Sequence, residues 1–574
     1  MEMIMFLNKK IWMGCLVFIA LSTQAQMVHQ VLVLVNEKSQ ASKYVANEFV
    51  ALRKIPDRNI VYLSIPKSMY EGHATITPEE FTKYIWEPAQ ALIKKRGLEN
   101  QILTWIYSVD FPIRIKTSPS DKKQMSLMGL TFLKNKIPDL TVVEDGSYLS
   151  KLFAGPSKRL KVTLNSMAFQ TKKKGLGDKI QIPKEVSYLQ KGLGSDMPLP
   201  SMMLGYVGEN GNTVKEVLLS LKKGKISDHR GIHDGIYFIK TEDIRSKCRE
   251  WQFESVINQL KSRNVSAIVT NQLPIKAKHV IGLMMGAEKP DPSKIKSFIP
   301  GAMAEHLTSW AGEFQKNQTK MTEWIKAGAT ATAGTVVEPF SNPDKFPAAN
   351  FFVHYISGCS MIESFYQSIS CPLQILLLGD PLAKPYAPRI KLDLFGLESL
   401  KSDFTYVTQA TLPHAPKATF LYHFFVDGKE IAPPSPNKTY YLRVANFSDG
   451  YHTLRVITEA QHFVKFSTFS IKPFVINIKG RSLAILPDFE KTSEHKYRLA
   501  IKLDGKETPV KIQLVSKARI LDEKPYSTGV QLILDELMLG EGPQEIRAVA
   551  IYKDGMAVSS IPIKFGIVFN QTTK

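Results

Sequence analysis

Cysteine is scarce in this chain of 574 residues, which contains four. Cys15 lies in the first apolar stretch, and its predicted removal leaves Cys248, Cys359 and Cys371. An odd number implies at least one free thiol or an intermolecular bond. Between Cys359 and Cys371 apolar residues recur at helical spacing, and about twelve residues of helix would hold the sulfurs about 18 Å apart, too far for a disulfide. We therefore predict two buried cysteines and a fold independent of disulfides.

Long apolar runs are also lacking after the first 25 residues. Lys9 and Lys10, the apolar stretch Ile11–Leu21 and the small-residue site Thr23–Ala25 follow the pattern of a cleaved secretory signal. The apolar stretch is roughly half the ~20 residues that span a bilayer, which favours cleavage over a membrane anchor. Cys15 leaves a lipoprotein reading open, although most of the apolar core follows it. We expect an exported protein (periplasmic, cell-surface or extracellular) with no transmembrane segment after signal removal.

The sequence lacks the short motifs that usually announce chemistry. It contains no Walker loop, no His-Glu-x-x-His pair, no Cys-x-x-Cys pair and no Gly-x-Ser-x-Gly elbow. The Gly-rich stretch Gly205–Gly211 lacks the dinucleotide-binding spacing and is interpreted as a plain loop. We accordingly predict no metal site and no cofactor.

Negative charge is in deficit. Lys and Arg number 74 against 53 Asp and Glu, a formal net charge of +21, and the stretch Lys158–Lys184 holds eight Lys or Arg against Asp178 alone. Such a face suits an anionic glycan, lipopolysaccharide or nucleic acid, but a solvated basic loop explains the same composition. No nucleic-acid motif accompanies it. The predicted partner is an anionic glycan or another envelope polyanion.

Residues 26–387 alternate predicted strands and helices. Val31–Val35 and Gln101–Val109 are typical of strands, and Thr77–Glu80 combines a Thr N-cap, a Pro at the first helical position and a capping-box Glu. This order predicts an α/β fold with a mostly parallel sheet and helices on both faces. Periodicity fades between about residues 113 and 198, which we interpret as an insertion that contains the basic stretch.

Helical periodicity ends at Pro385–Pro388. Beyond it, short alternating strands are separated by turns such as Asp427-Gly428, a hairpin signal. The spacing predicts two all-β, immunoglobulin-like sandwich modules of about 90 residues each, at 388–475 and 476–574.

Five segments of the α/β body together resemble a family of uncharacterised exported bacterial proteins. They are Val31–Asn36, Ile55–Val61, Phe298–Gly312, Ala327–Pro339 and Leu378–Tyr386. More distantly, the order of elements and the closing Gly379-Asp380-Pro381 resemble the caspase-like domain of gingipain-type cysteine peptidases, which also carry a following β-sandwich. That resemblance implies a caspase-like fold.

The resemblance fails at the catalytic dyad. A caspase-like peptidase needs a His after one central strand and a Cys after the next, but His279–Met285 is followed by Gly286, and Leu307–Gly312 contains no Cys. His229 and His233 precede a strand and are interpreted as loop residues. We therefore predict a body that is non-catalytic or a hydrolase with other residues, and not a cysteine peptidase. The alternative is an envelope or extracellular binding protein for a glycan or another polyanion.

Open α/β sheets bind ligands beyond the carboxyl ends of their strands. The catalytic candidates there are Asp110, Ser309 and Glu338, which we expect to share one edge of the sheet, although all three also suit turn caps.

Two further polar residues, Asn36 and Arg114, are candidates for substrate binding at the same strand ends. For Asp110 and Arg114, a local ion pair or turn cap is an equally good explanation. Asp380 is predicted to cap its own turn with its carboxylate.

Overall fold

The computed structural model describes residues 28–72, 75–157, 197–413, 415–461 and 464–569, with the short pieces 23–24 and 162–163. The predicted signal peptide, residues 1–25, lies almost entirely outside this part. The basic stretch Lys158–Lys184 lies outside it apart from residues 162–163, so the predictions made for both segments remain predictions.

A ten-stranded sheet forms the centre of the α/β body. Its strands, labelled β1 to β10 in chain order, are Val31–Asn36, Ile60–Leu63, Thr104–Tyr107, Ser201–Met203, Ile236–Ile239, Ala267–Thr270, Val280–Gly286, Phe298–Leu307, Ala331–Thr335 and Ile375–Gly379. Across the sheet they follow the order β6-β5-β7-β8-β9-β10-β4-β3-β1-β2. Most of these strands are continuous apolar runs with both faces buried, which is the expected pattern for a covered, largely parallel sheet.

One pair of strands divides this sheet into two halves. β9 and β10 are antiparallel, with Ala331 opposite Gly379 and Thr335 opposite Ile375. All the other neighbours pair in parallel. The first five strands in this spatial order, β6, β5, β7, β8 and β9, therefore run opposite to the other five, β10, β4, β3, β1 and β2.

Helices cover both faces of the sheet. Those of the body, α1 to α11, are Gln40–Arg53, Pro78–Phe81, Glu87–Lys95, Leu127–Phe132, Leu140–Glu144, Val214–Ser227, Ile244–Lys247, Phe253–Lys261, Thr322–Ala327, Phe351–Ile356 and Met361–Ser368. α1 and α6 pack on one face through an apolar cluster that includes Phe49 and Val217. α3, α4, α8, α10 and α11 pack on the other face in a larger cluster. The predicted α/β layering with a parallel-rich sheet is confirmed.

Local signals in the sequence place several element ends. Thr77 caps α2 in a capping box with Glu80, and Pro78 occupies the first helical position. Ser39 caps α1 by accepting from the Ser42 amide. The predicted insertion contains, in its described part, short ribbons that pair Arg114–Ile115 with Met125–Ser126, followed by α4 and α5.

The C-terminal part consists of β-sheets. Its strands are Lys391–Phe395, Ser399–Leu400, Phe404–Thr411, Phe420–Val426, Lys429–Glu430, Thr439–Leu442, Gly450–Ala460, Val464–Lys465, Ser467–Ile476, Ser482–Ile485, Glu490–Ser493, Lys496–Asp504, Lys511–Ser516, Arg519–Pro525, Gln531–Asp535, Gly542–Ile551, Ala557–Ser559 and Ile563–Ile567. An α-helical turn, α12 (Glu536–Leu539), and a 3₁₀ turn, Val444–Asn446, lie between them. The expected hairpin is present, because Asp427 and Gly428 both have positive φ and connect paired strands.

The two largest apolar cores of this part are built from residues 400–476 and from residues 483–567. A parallel bridge between Gly450 and Ser559 connects their sheets. The sheets are sandwich-like, as expected. No helix among the described residues combines the length and apolarity needed to cross a membrane.

Candidate functional site

Ser309 and Glu338 meet beyond the carboxyl ends of the neighbouring strands β8 and β9. The Ser309 hydroxyl donates to Glu338 Oε1 at 2.9 Å, and the Phe340 amide donates to the same oxygen at 3.0 Å. Phe340 has a φ of +57°, so the carboxylate holds a tight corner after β9 in addition to holding the hydroxyl. The pair is half-buried and fixes the end of β8 to the end of β9.

Asp110 belongs to a second cluster, beyond β1 and β3. Its carboxylate accepts from the Ser39 hydroxyl, and its backbone carbonyl accepts from the Asn36 side-chain amide at 2.8 Å. Asp110 has a φ of +59°, a left-handed conformation that Asp tolerates better than most residues. Burial raises the pKa of the Asp110 carboxyl, and the hydrogen bond from Ser39 opposes that rise.

These two clusters do not form one site. β3 leads to Asp110 and runs opposite to β8 and β9, which lead to Ser309 and Glu338, because the β9–β10 pair is antiparallel. The carboxyl ends of β1 and β3 therefore lie on one side of the sheet, along the strand direction, and those of β8 and β9 lie on the opposite side. The expectation that all three residues share one edge is wrong, since it assumed a sheet that is parallel throughout.

Arg114 pairs away from Asp110. Its Nη1 lies 2.7 Å from Glu313 Oε2, and its Nε donates to the Thr75 hydroxyl at 3.0 Å. Glu313 belongs to the loop that follows β8, so Arg114 ties the predicted insertion to that loop. The side chain is committed to this ion pair.

The loop after β8 is held from within. The Gln318 side-chain oxygen accepts from the Thr308 hydroxyl at 2.8 Å and the Trp310 amide at 2.9 Å. Lys320 donates to three backbone carbonyls, those of Trp310, Glu313 and Lys316, and burial lowers its pKa to about 8. Sequence reasoning missed both residues, because polar side chains inside a loop carry no periodic signal.

No imidazole is available to Ser309 from its nearest histidine in sequence. His306 Nδ1 accepts from the Trp324 indole at 2.8 Å, and its Nε2 lies 3.1 Å from the Thr319 carbonyl, which requires the hydrogen on Nε2. Burial lowers the pKa of His306 to about 3. Both ring nitrogens are thus committed within the core, and the ring is neutral at physiological pH.

The other histidines considered from the sequence lie in loops, as predicted. His229 and His233 precede β5, and His229 Nδ1 lies 2.7 Å from the Ala387 carbonyl. Burial lowers the pKa of His229. This contact joins the loop to the segment that leaves the body, which is a structural role.

The thiols have the environments expected of small apolar residues. Cys359 and Cys371 are buried and not bonded to each other, and Cys248 is half-buried with its sulfur 3.4 Å from the Arg245 carbonyl. α11 separates Cys359 from Cys371, as the sequence predicted. Burial raises the pKa of the Cys359 thiol, which disfavours the thiolate that a nucleophile requires.

A buried ion triad surrounds the closing Gly-Asp-Pro. Asp380 accepts from the Leu382 amide at 3.0 Å, so the predicted cap of the turn is confirmed. Its second oxygen also pairs with Arg53, and Arg53 Nη1 lies 2.6 Å from Asp228. The pKa of Asp380 is raised by burial, while Arg53 opposes that rise.

Arg249 and Glu305 form a second buried ion pair. Arg249 Nη1 lies 2.7 Å from Glu305 Oε1, and both side chains are at most 1% exposed. Burial raises the pKa of the Glu305 carboxyl to about 7. Neither this pair nor Arg53 was identified from the sequence. A charge inside the apolar run Met303–Leu307 was the available signal, because a buried strand rarely carries one without a partner.

A polar cavity of about 580 Å³ opens beside the loop after β8. Its walls include Asn210, Asp291, Lys316 and Thr319. Ser309 and Glu338 are not among its lining residues, so the pair does not face this cavity. Within the described part of the chain, no group of three or more His, Cys, Asp or Glu side chains is arranged to hold a metal ion.

No family model and no curated protein matches the chain. A solved structure titled "Structure of Protease" aligns with 79% of this chain and 97% of its own, at 8% identity and a TM-score of 0.36. Fibronectin(III)-like modules of Clostridium thermocellum CbhA align with 31% of this chain and 91% of theirs, at 11% identity and a TM-score of 0.13.

A Bacteroides ovatus glucan-utilisation protein, SGBP-B, solved with a mixed-linkage heptasaccharide, aligns with 29% of this chain at 16% identity and a TM-score of 0.17. The chain spans 41% of the length of that protein. All three TM-scores are below 0.5.

Proposed function

We propose that this is an exported, non-catalytic binding protein whose α/β body is a caspase-like scaffold without the peptidase dyad. The observation that supports it is the chemistry at the two strand ends that would carry the dyad. β7 ends at Gly286, where an added Cβ would lie 2.1 Å from the Arg245 carbonyl oxygen. β8 leads to Ser309, whose hydroxyl is held by Glu338. At the end of β7, close packing against the Arg245 backbone leaves no room for a side chain. After β8, the serine hydroxyl is held in a hydrogen bond with Glu338.

The thiols support the same proposal. A cysteine peptidase needs a thiolate beside an imidazole. Among the described residues, Cys359 and Cys371 are buried in the core. The Cys248 sulfur lies 3.4 Å from the Arg245 carbonyl oxygen. His306 and His354 are fully buried, with pKa values lowered to about 3. None of these groups is arranged as a nucleophile and its base.

The first prediction is that the full chain does not hydrolyse peptides. Incubation with a mixture of fluorogenic peptides should give the same rate for the natural protein, for Ser309→Ala and for the iodoacetamide-treated protein. Ser293→Ala, in an exposed turn, is the matched control. Turnover that is lost in Ser309→Ala but kept in Ser293→Ala would instead establish a serine hydrolase. Turnover abolished by alkylation and by Cys248→Ser would establish a thiol enzyme.

A second candidate function is the binding of an acidic polysaccharide. The net charge of +21 favours it, because excess cations attract a polyanion and release its counterions on contact. The basic stretch Lys158–Lys184 is the densest source of that charge. This contact is electrostatic, so it is governed by ionic strength.

The second prediction concerns that salt dependence. Binding of the full chain to immobilised polygalacturonate should weaken steeply between about 50 and 300 mM NaCl. Replacing Lys172, Lys173 and Lys174 by Gln should weaken it more than the same change at Lys83, Lys94 and Lys95. Affinity that is independent of salt, or equal losses in the two triple variants, would rule out this contact.

A further inference from the structure

The central sheet has an open edge, formed by β6. Among the described residues β6 pairs with β5 alone, and it is the outermost strand on its side of the sheet. Thr270 faces β5, because its carbonyl accepts from the Lys240 amide at 2.8 Å. Peptide groups alternate in direction along a strand. The N–H and C=O groups of Ala267 and Val269 therefore point away from the sheet, where a further strand would lie.

The opposite edge of the sheet, formed by β2, is covered. The carbonyl of Ile60 accepts from Arg96 Nη1 at 2.6 Å. The Arg519 guanidinium of the second β-module lies 3.9 Å from the centroid of the Tyr62 ring in the same strand. An edge strand without such cover is a place where another chain can add a strand. The fold therefore protects β2 and leaves β6 open.

Exposed apolar side chains lie on both faces of the β6 edge. Ile268 is 48% exposed and Val269 is 40% exposed, and neighbouring residues of a strand face opposite sides of a sheet. Ile275, in the connection that follows β6, is 52% exposed. An added strand would place its own side chains beside Ile268 on one face and beside Val269 on the other. It would remove apolar surface from water in addition to making backbone hydrogen bonds.

The segment that contains β6 is positively charged. Residues 255–287 include no Asp or Glu, and their cationic residues are Lys261, Arg263, Lys276 and Lys278. Lys276 and Lys278 are exposed in the connection after β6. At the carboxyl end of β5, the carboxylates of Glu242 and Asp243 are paired with Lys247 and Arg245. Asp234, before β5, offsets one of the four cations. The open edge therefore suits a negatively charged partner.

We propose that β6 binds an extended, acidic segment of a partner protein, which adds a strand to the sheet. The backbone of that segment pairs with the outward groups of Ala267 and Val269, and its carboxylates face Lys276 and Lys278. A second copy of this chain would bring the same positive segment against itself, and the stretch Lys158–Lys184 carries the same sign of charge, so both fit this edge less well. The surface is separate from that basic stretch and does not depend on whether the body is catalytic.

The test begins with selection of a random octapeptide library, displayed on phage, against the full chain. Selected peptides should be rich in Asp and Glu and should alternate them with β-branched residues. A synthetic copy of one selected peptide should bind the natural chain in fluorescence anisotropy with a Kd below about 1 mM. Methylating one set of alternate backbone nitrogens in that peptide should abolish binding and methylating the other set should not, because an added edge strand is hydrogen-bonded on one side only.

Variants of the chain locate the binding. Val269→Pro removes an outward N–H without breaking a hydrogen bond to β5, so it should weaken peptide binding about fivefold or more. Val269→Thr keeps the N–H and the branched side chain, and as the matched control it should bind nearly as well as the natural chain. Replacing Lys276 and Lys278 by Glu should weaken binding, and the same change at Lys215 and Lys222, exposed on α6, should not. Thermal unfolding shows that each variant is folded.

Three results would overturn the proposal. The first is the absence of any selected peptide that distinguishes the natural chain from Val269→Pro. The second is selection of basic or uncharged peptides, which would contradict the acidic character of the partner. The third is a natural chain that is dimeric in analytical ultracentrifugation while Val269→Pro is monomeric, which would assign β6 to a second copy of this chain.

Discussion

At the scale of single residues, the charged side chains buried in the α/β body carry the largest desolvation cost. Arg249 pairs with Glu305, and it also donates to the Met285 carbonyl at 3.0 Å and the Pro347 carbonyl at 2.6 Å. The contact with Glu305 is short but not aligned as a hydrogen bond. Removing these two charges from water costs free energy. The ion pair stabilises the fold only to the extent that the attraction between the charges offsets that cost.

The third prediction follows from that balance. Arg249→Met should destabilise the body by about 3–5 kcal/mol because it leaves a buried carboxylate unpaired. The double variant with Glu305→Leu should recover much of this loss. Urea unfolding at neutral pH measures both. A double variant no more stable than Arg249→Met would show that the carbonyl contacts of Arg249 matter more than its charge.

The pH dependence has a definite sign. The folded-state pKa of Glu305, about 7, lies above its ordinary value of 4.5, so the stability associated with the protonated form is present below pH 4.5 and is lost as pH rises toward 7. Arg249→Met removes the cation that holds this pKa down. The loss of stability caused by Arg249→Met should therefore be larger at pH 8 than at pH 5, and equal losses would contradict the assignment.

At the scale of elements, α6 shows how packing selects a residue against helix propensity. α6 runs from Val214 to Ser227 and includes Gly224 in its last turns. A Cβ on Gly224 would lie 2.2 Å from the Asp380 carboxylate, which Arg53 holds in place. The glycine lets α6 approach the closing turn of the sheet.

The fourth prediction tests that approach. Ala is favoured over Gly inside a helix by about 1 kcal/mol, yet Gly224→Ala should destabilise the body by about 1–3 kcal/mol through overpacking. Gly566→Ala, where nothing lies within 4 Å of the added Cβ, should change stability little. Thermal unfolding of both variants decides the matter. Stabilisation by Gly224→Ala would mean that the turn containing Asp380 shifts easily to accommodate the added methyl group.

At the scale of the whole molecule, the second β-module docks on α1 of the body. Asn47 donates to the carbonyls of Leu539 and Glu541 at 3.1 and 2.7 Å, and it accepts from Lys517. Arg547 pairs with Asp57 at 3.1 Å. Burial in this interface lowers the pKa of Lys517 to about 7. The module and body therefore meet through specific polar contacts.

The fifth prediction concerns this interface. The folded-state pKa of Lys517 lies below its ordinary value of 10.5, so the unfolded chain binds the extra proton between about pH 7 and 10.5, and stability should rise with pH across that window. Lys517→Met should flatten this rise, while Lys564→Met, on the exposed surface, should keep it. Scanning calorimetry at several pH values provides the measurement. A rise that persists in Lys517→Met would place its origin in other groups.

Much of the architecture follows from local pattern. Continuous apolar runs identified strands such as Val31–Asn36, the Thr77 capping box identified a helix start, and Asp427-Gly428 identified a hairpin. The helical spacing between Cys359 and Cys371 by itself excludes a disulfide between them. These features depend on neighbours in sequence, where steric preference and periodic burial act directly.

Tertiary structure alone decided which of these elements lie together. The direction of β10 against β9 depends on how distant segments pair, and it separates Asp110 from Ser309 and Glu338. The sequence determined that polar residues follow several apolar strands, that no His directly follows β7 and that no Cys directly follows β8. Only the fold committed Ser309 to Glu338 and left β6 at an open edge of the sheet, because hydrogen-bond partners far apart in sequence are chosen by packing.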